Sequence, residues 1–207
     1  LPEEHEKTIR KIKEQRKLVV MYTGAHGPPN ALDQILDLDK ISSTENRPYH
    51  FVLIGDGIEK QKLIQRVKDS AISFVSFLPK ITKAQVVSAL ALADVCFVAS
   101  QKKEIYKYGT SPNKLGDYFM SAKPVLSALY SAGRQGNDFV AAAAAGISVV
   151  PYNTDQLEQA LQHFCAMSNE ARMAMGENGR RYALENLEWE ILGRKYAALC
   201  ESLVKNL

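Results

Sequence analysis

Cysteine is scarce and unpaired in this sequence. Cys96, Cys165 and Cys200 stand far apart, with no CxxC pair among them. That excludes a disulfide framework and a structural zinc site, and it points to a reducing compartment. The histidines His5, His26, His50 and His163 show no metal-ligand spacing. No apolar run approaches the ~20 residues that a membrane span needs. The dinucleotide fingerprint GxGxxG and the P-loop pattern are both missing, so neither standard nucleotide motif applies. Gly-x-Ser-x-Gly, the nucleophile elbow of hydrolases, is also missing. A formal net charge of +3 is too weak to argue for a nucleic-acid partner. The opening LPEEHEKTIRKIKEQRK is polar and charged and does not read as a signal peptide.

What is present is a regular alternation. The 207 residues are enough for one large domain or two small ones, and 46% hydrophobic with 24% charged residues is ordinary for a globular chain. Residues 1–17 read as a solvated helix or interdomain linker, rich in Lys and Arg, with only Ile9 and Ile12 of core type. A solvated face is the favoured reading of that basic run over a membrane-surface role. From Lys17 onward, short apolar runs alternate with amphipathic segments. KLVVMYTG, HFVLIGDG, SFVSFLP, VCFVAS, KPVLSAL and ISVVPY read as six buried strands. NALDQILDLDKI, IEKQKLIQRVKDS, KAQVVSALALAD and the segment after Ser111-Pro112 read as the intervening helices. DFVAAAAAG reads as a short small-residue helix, and everything from Thr154 as a helical extension. Strands that are apolar on both faces, separated by helices, imply a doubly wound, Rossmann-like parallel sheet. Ligands in such sheets bind beyond the carboxyl ends of the strands, at the switch in strand order. The loops after strands are therefore the ones to watch, including 24–30, 55–58, 78–82 and 100–112.

The longest of these is QKKEIYKYGTSPNK, and a long strand-to-helix connection is often functional. Ser111 suits a helix N-cap and Pro112 the first helical position. The free N–H groups of Asn113 and Lys114 then offer an anion site, reinforced by the helix dipole. Gly109 would let the backbone approach closely. Thr110 adds a second hydroxyl, and Lys107 and Lys114 can add charge. Asp117, one turn inside, would repel a phosphate but can bind sugar hydroxyls. The same residues also read as a well-capped helix after a surface loop, and their chemistry alone leaves both readings open. In GAHGPPN, His26 can hydrogen-bond a phosphate or sugar, or can have no role. IGDG, with Gly55, is a glycine turn of low specificity.

The ordered series of strand and glycine loop, VLIGDG, SFLPK, ALADVCFVAS and YGTSPNKLGDYFMSAKPVLSA resembles the C-terminal, donor-binding domain of retaining GT-B glycosyltransferases. These are the large glycogen-synthase-like and mannosyltransferase-like family, and the resemblance is nearest to bacterial O-antigen and capsule polysaccharide transferases. The likeness runs from about Lys17 to Leu203 and includes the late Trp189. It implies one half of a GT-B fold at residues 18–207, with an N-terminal acceptor domain absent from this chain. It further implies a nucleotide-sugar donor, UDP-linked in preference to GDP-linked, and a glycan or lipid-linked acceptor in cell-surface glycan biosynthesis. The implied catalytic set is His26, Lys107 and Lys114. The implied donor-binding set is Gly24, Gly55, Phe77, Leu78, Gly109, Thr110, Ser111, Asn113 and Asp117, with the base near Phe77-Leu78-Pro79 and the ribose on Asp117. No cofactor and no metal are implied. The expected place is the cytoplasm, with peripheral association at the inner membrane face open to the whole protein.

The chain departs from that family at several positions. Gly109 stands where much of the family has an acid, and Asp117 stands in place of Glu. Ala25 and Asn30 match positions that often hold an Arg and a Lys clamping the diphosphate. A nucleotide-sugar epimerase and a non-enzymatic Rossmann-like assembly module are the competing readings.

Overall fold

The structure is a computed structural model that describes residues 1–41, 47–108, 110, 113–130 and 138–205, the side chains of Lys107 and Lys205 excepted. In chain order the elements are α1 (Glu3–Glu14), β1 (Leu18–Thr23), α2 (Asp33–Leu36), β2 (Tyr49–Ile54), α3 (Lys60–Asp69) and β3 (Val75–Leu78). There follow α4 (Lys83–Ala91), β4 (Val95–Ala99), α5 (Asn113–Met120), β5 (Val125–Ala128), α6 (Phe139–Ala142) and β6 (Gly146–Ser148). Helices α7 (Thr154–Ala166), α8 (Asn169–Asn186) and α9 (Trp189–Lys205) complete the chain. The strands form one six-stranded sheet in the order β3-β2-β1-β4-β5-β6. Every neighbouring pair is parallel. The doubly wound sheet expected from the alternation is present.

The pleat divides the core. Val20, Tyr22, Phe51, Leu53 and Phe97 project to one face, where Leu32, Ile35, Leu157, Leu161 and Phe164 cover them. Val19, Met21, Val52, Ile54 and Val98 project to the other, under Ile9, Leu90, Leu115, Tyr118 and Phe119. Because successive strand residues point to opposite sides, a strand buried on both faces must be apolar throughout. All residues of β1, β2 and β4 are buried accordingly. At the amino end of β2, Arg47 donates to Glu158 at 2.9 Å and to the Leu38 carbonyl at 2.7 Å, tying α7 to the sheet.

Three expectations need correction. The first segment is a helix, as one of its two readings had it, but one side of it packs on this domain instead of being solvated all round. In α1, Ile9 and Ile12 are buried, and the buried His5 ring lies 2.9 Å from the Pro79 carbonyl. Lys13 of the same helix pairs with Asp94 at 3.0 Å. The single helix expected over NALDQILDLDKI is broken. A one-turn α2 is followed by a 3-10 turn at Asp37–Lys40, and Leu32, Ile35, Leu36 and Leu38 are all still buried. The left-handed Ala31 that closes the Pro28–Asn30 turn prevents a continuous start. The last strand is only Gly146–Ser148, shorter than ISVVPY suggested.

Helix α8 lies tightly against the end of α5. A Cβ on Gly176 would fall 2.0 Å from the Ala122 carbonyl oxygen. Helix α9 is exposed along most of its length, including Trp189, Tyr196, Leu199 and Leu203. Gly176→Ala is expected to destabilise the domain by about 1–3 kcal/mol, the usual range for overpacking. Gly193→Ala in α9, with nothing within 4 Å of the added atom, is the control and should leave thermal unfolding unchanged or slightly raised. Equal unfolding temperatures for the two variants would contradict that packing.

Candidate functional site

The strand order reverses between β1 and β4, so the crossovers leave in opposite directions and open a crevice at the carboxyl end of the sheet. A cleft of about 440 Å³ sits there, alongside the carboxyl ends of β1 and β2. Its floor is Thr23, Gly24, Ile54 and Gly55; one wall is Lys114 and Asp117 of α5; the other is Lys80, Ile81, Lys83 and Val86 at the start of α4.

The floor is backbone. Gly24 has φ +147° and Gly55 φ +154°, a region that side chains rarely adopt. A Cβ on Gly55 would lie 1.8 Å from the Gly24 carbonyl oxygen, so two loops can meet here only as glycines. The Gly24 N–H donates to the Ile54 carbonyl at 3.0 Å and the Gly55 N–H to the Leu78 carbonyl at 3.3 Å. Lys60 reinforces the join from α3, donating to the Gly55 carbonyl at 2.7 Å and the Leu78 carbonyl at 3.0 Å.

Helix α5 is fixed over this floor by one buried hydroxyl. The Thr23 N–H donates to Tyr118 Oη at 3.0 Å, and Tyr118 has no exposed surface. One turn earlier, Lys114 reaches back toward β1. Its Nζ donates to Tyr22 Oη at 2.9 Å and to Asn30 Oδ1 at 2.6 Å, and lies 4.4 Å from the centre of the Tyr22 ring. Burial pushes the Lys114 ammonium down to about 8 and the Tyr22 phenol up. Asp117 is a third exposed and pairs across the cleft with Lys83. Exposed pairs of this kind contribute about 0–1 kcal/mol, so a ligand can part them.

Of the residues expected to act together, the structure gathers Gly24, Gly55, Lys114 and Asp117 around one cleft. His26 does not join them on its surface. Its ring is fully buried between Tyr22 and Phe77, with centroids 5.9 Å from each. Burial, with Lys60 nearby, pushes it down to about 4, so it is neutral at physiological pH and cannot add charge to a diphosphate clamp. Its backbone does the structural work: the N–H donates to the Asp56 carbonyl at 2.7 Å and the carbonyl accepts from Glu59 at 3.0 Å. Phe77 packs on that ring rather than facing the cleft. The Leu78 carbonyl accepts from the Gly55 N–H and from Lys60. Asn113 stands exposed at the start of α5, and the Thr110 hydroxyl is buried without a partner among the described residues. Gly109, Ser111 and the side chain of Lys107 lie outside the described residues.

Sequence reasoning missed Lys80, Ile81, Lys83 and Val86 as a wall, and Tyr22 and Asn30 as partners of Lys114. Position just past a strand end was the available signal for Lys80 and Ile81. Nothing in the linear pattern places Lys83 opposite Asp117. Among the described residues no group of three or more His, Cys, Asp and Glu is gathered as a metal site would require. No helix there is long and apolar enough to cross a membrane.

The family model "Glycosyl transferases group 1" matches residues 3–182. The chain superimposes on TarM of S. aureus, solved with UDP, with a TM-score of 0.70 at 14% identity, covering 89% of this chain and 36% of that one. Anabaena HepE in complex with UDP-glucose gives 0.70 at 15% identity over 98% of this chain and 53% of that one. The C-terminal domain of a Francisella tularensis group 1 family protein, LpcC, gives 0.65 at 16% identity over 91% and 95%. This chain thus spans between about a third and a half of the first two. No curated protein sequence matches it.

Two of the buried histidines, His26 and His50, make stability depend on pH. His50, held 2.8 Å from Ser76 Oγ, is also pushed down to about 4, by burial and then by Lys17. The unfolded chain takes up these protons near pH 6.5 and the folded chain only near pH 4. Between those values the unfolded state binds more protons, so stability falls as the pH drops through that window and is fully present above it. Unfolding temperatures measured from pH 7 to 4 should show this decline, and His26→Phe should flatten it. A His26→Phe profile as steep as wild type would contradict the buried neutral ring.

Proposed function

The chain belongs to the glycosyl transferases group 1 family, and we propose that it is the donor-binding half of an enzyme that transfers a sugar, with retention, from a UDP-sugar to a glycan or lipid-linked acceptor. The observation that carries the reading is the cleft itself. A glycine floor, three lysines and two carboxylates, Asp56 and Asp117, converge at the strand-order switch of a doubly wound sheet. Solved chains of the same fold hold UDP or UDP-glucose, which favours UDP as the nucleotide.

In this reading the diphosphate lies over Gly24 and Gly55, where the absence of side chains allows close approach. Lys114 and the free N–H groups at the start of α5 hold its charge, with Lys80 and Lys83 on the opposite wall. Asp117 releases Lys83 and accepts the ribose hydroxyls. Ile81 and Val86 give the base an apolar wall. As the glycosidic bond breaks, negative charge grows on the departing diphosphate. Fixed N–H donors and an ammonium in a partly desolvated cleft stabilise that charge most in the transition state. The lysines supply the positive charge in this scheme, without a metal. The acceptor would be held by a second domain facing this cleft, and the reaction would run in the cytoplasm, beside the membrane when the acceptor is lipid-linked. The alternation of strands and helices that supports one Rossmann-like unit in this chain supports the division of labour.

Calorimetric titration of the chain with UDP, GDP and ADP tests the reading. UDP should bind in preference. Lys114→Ala should weaken it about 10- to 100-fold, the equivalent of one charge-assisted hydrogen bond of roughly 1.5–3 kcal/mol. Asp117→Ala should weaken UDP binding while leaving inorganic pyrophosphate binding unchanged. Equal, weak binding of all three nucleotides, insensitive to both variants, would sink the donor-site reading.

A further inference from the structure

The hydrogen bonds around Lys114 form a closed set. Tyr22 donates its own proton to the Ala25 carbonyl at 2.7 Å, which leaves the phenol oxygen free to accept. Asn30 Nδ2 donates to the same carbonyl at 3.0 Å, which orients its Oδ1 toward the ammonium. Lys114 then donates to both oxygens, with the Tyr22 ring beside it. An ammonium has three N–H donors, so one remains for a ligand. Its Cε and Nζ lie against Gly24, within 3.3 Å of where a Cβ on that residue would stand, so a side chain there would displace the lysine.

We propose that Tyr22 and Asn30 are positioning residues, a neutral cradle that presents the Lys114 ammonium to the diphosphate of the donor with its third N–H unpaired. This rests on the donor reading of the cleft. The cradle's neutrality matters. A carboxylate in place of Asn30 would hold the lysine equally well and cancel the charge that the ligand needs. A long, flexible lysine loses rotamer freedom on binding, and holding it in advance removes that cost from the binding step. The other charged and titratable groups facing the ammonium are Asp56, Lys80, Lys83 and Asp117 around the cleft, with His26 neutral beneath it. Burial already holds Lys114 at about 8. The two acceptors favour its charged form, so their loss should carry its titration to lower pH.

The test uses the 207-residue chain and two readouts: the pH titration of the Lys114 ε-carbon by NMR, and the UDP dissociation constant from pH 7 to 9. In the wild type, UDP affinity should fall about tenfold across that range, as expected when one charged group with a pKa near 8 is required. Tyr22→Phe keeps the ring, removes the oxygen, and should weaken UDP several-fold while moving the titration and the fall in affinity to lower pH. Asn30→Ala should do the same. Asn30→Asp should move the titration up and still weaken UDP at pH 7. A drop in unfolding temperature with an unchanged titration and pH profile in Tyr22→Phe and Asn30→Ala would overturn the cradle. A wild-type chain that ignores UDP, but whose Lys114 titration moves in both variants, would keep the cradle around the lysine and overturn the donor reading instead.

Discussion

Everything at the carboxyl edge of the sheet depends on the contact between two backbones, Gly24 on Gly55. With a Cβ on Gly55 only 1.8 Å from the Gly24 carbonyl oxygen, no side chain fits between the loops after β1 and β2. The loops therefore join as a flat surface, closed by the Gly24-to-Ile54 and Gly55-to-Leu78 hydrogen bonds. That surface gives α5 and α4 a common floor to stand beside. It also explains the buried His26, whose backbone ties the same loops together through Asp56 and Glu59 while its ring fills the space below them. A histidine that looks like a catalytic residue in the sequence is here part of the foundation.

Several positive charges around one small space repel each other, and the structure disposes of each differently. Lys60 is spent on two carbonyls of the loop ends. Lys83 is paired with Asp117, an exposed pair that contributes little and opens easily. Lys80 is exposed to solvent. Lys114 is held by two neutral side-chain oxygens and a ring face in a mostly buried position. Desolvation makes its charge costly, and an anion beside it would offset that cost.

The fold was legible in the sequence because its signal is repeated. Six apolar runs, four of them buried along their whole length, and the amphipathic segments between them allow few arrangements other than a parallel sheet covered on two sides. The failures were local and physical. The packing of residues 1–17 was missed because two isoleucines looked too few to seat a helix on the core, yet Ile9 and Ile12 with the buried His5 suffice to pack α1. The first crossover was misread because its apolar spacing is helical while its backbone, after the left-handed Ala31, turns in two short pieces. At the site, Lys114 and Asp117 were legible from their places on a helix that follows a strand. The opposite wall was not, because which residue of α4 faces α5 is settled by the packing of both helices on the sheet rather than by either sequence segment.

The β1 loop shows how a charge that one segment lacks can be brought to it by another. Positions that often carry an Arg and a Lys in proteins this sequence resembles are Ala25 and Asn30 here, and on the sequence alone the diphosphate clamp looked incomplete. The structure brings Lys114 from α5 to within 2.6 Å of Asn30 Oδ1, so an ammonium lies beside the loop although the loop does not carry it. A phosphate responds to a charge at a point in space, and the chain position that supplies it makes no difference to the Coulomb energy. What does change is the support the charge requires. A lysine on the loop would be held by its own backbone, whereas one that crosses from α5 needs acceptors on the loop to receive it. The Ala25 carbonyl, drawing in both the Tyr22 hydroxyl and the Asn30 amide, orients those acceptors. The small residue at 25 and the short amide at 30 are then the complement of Lys114.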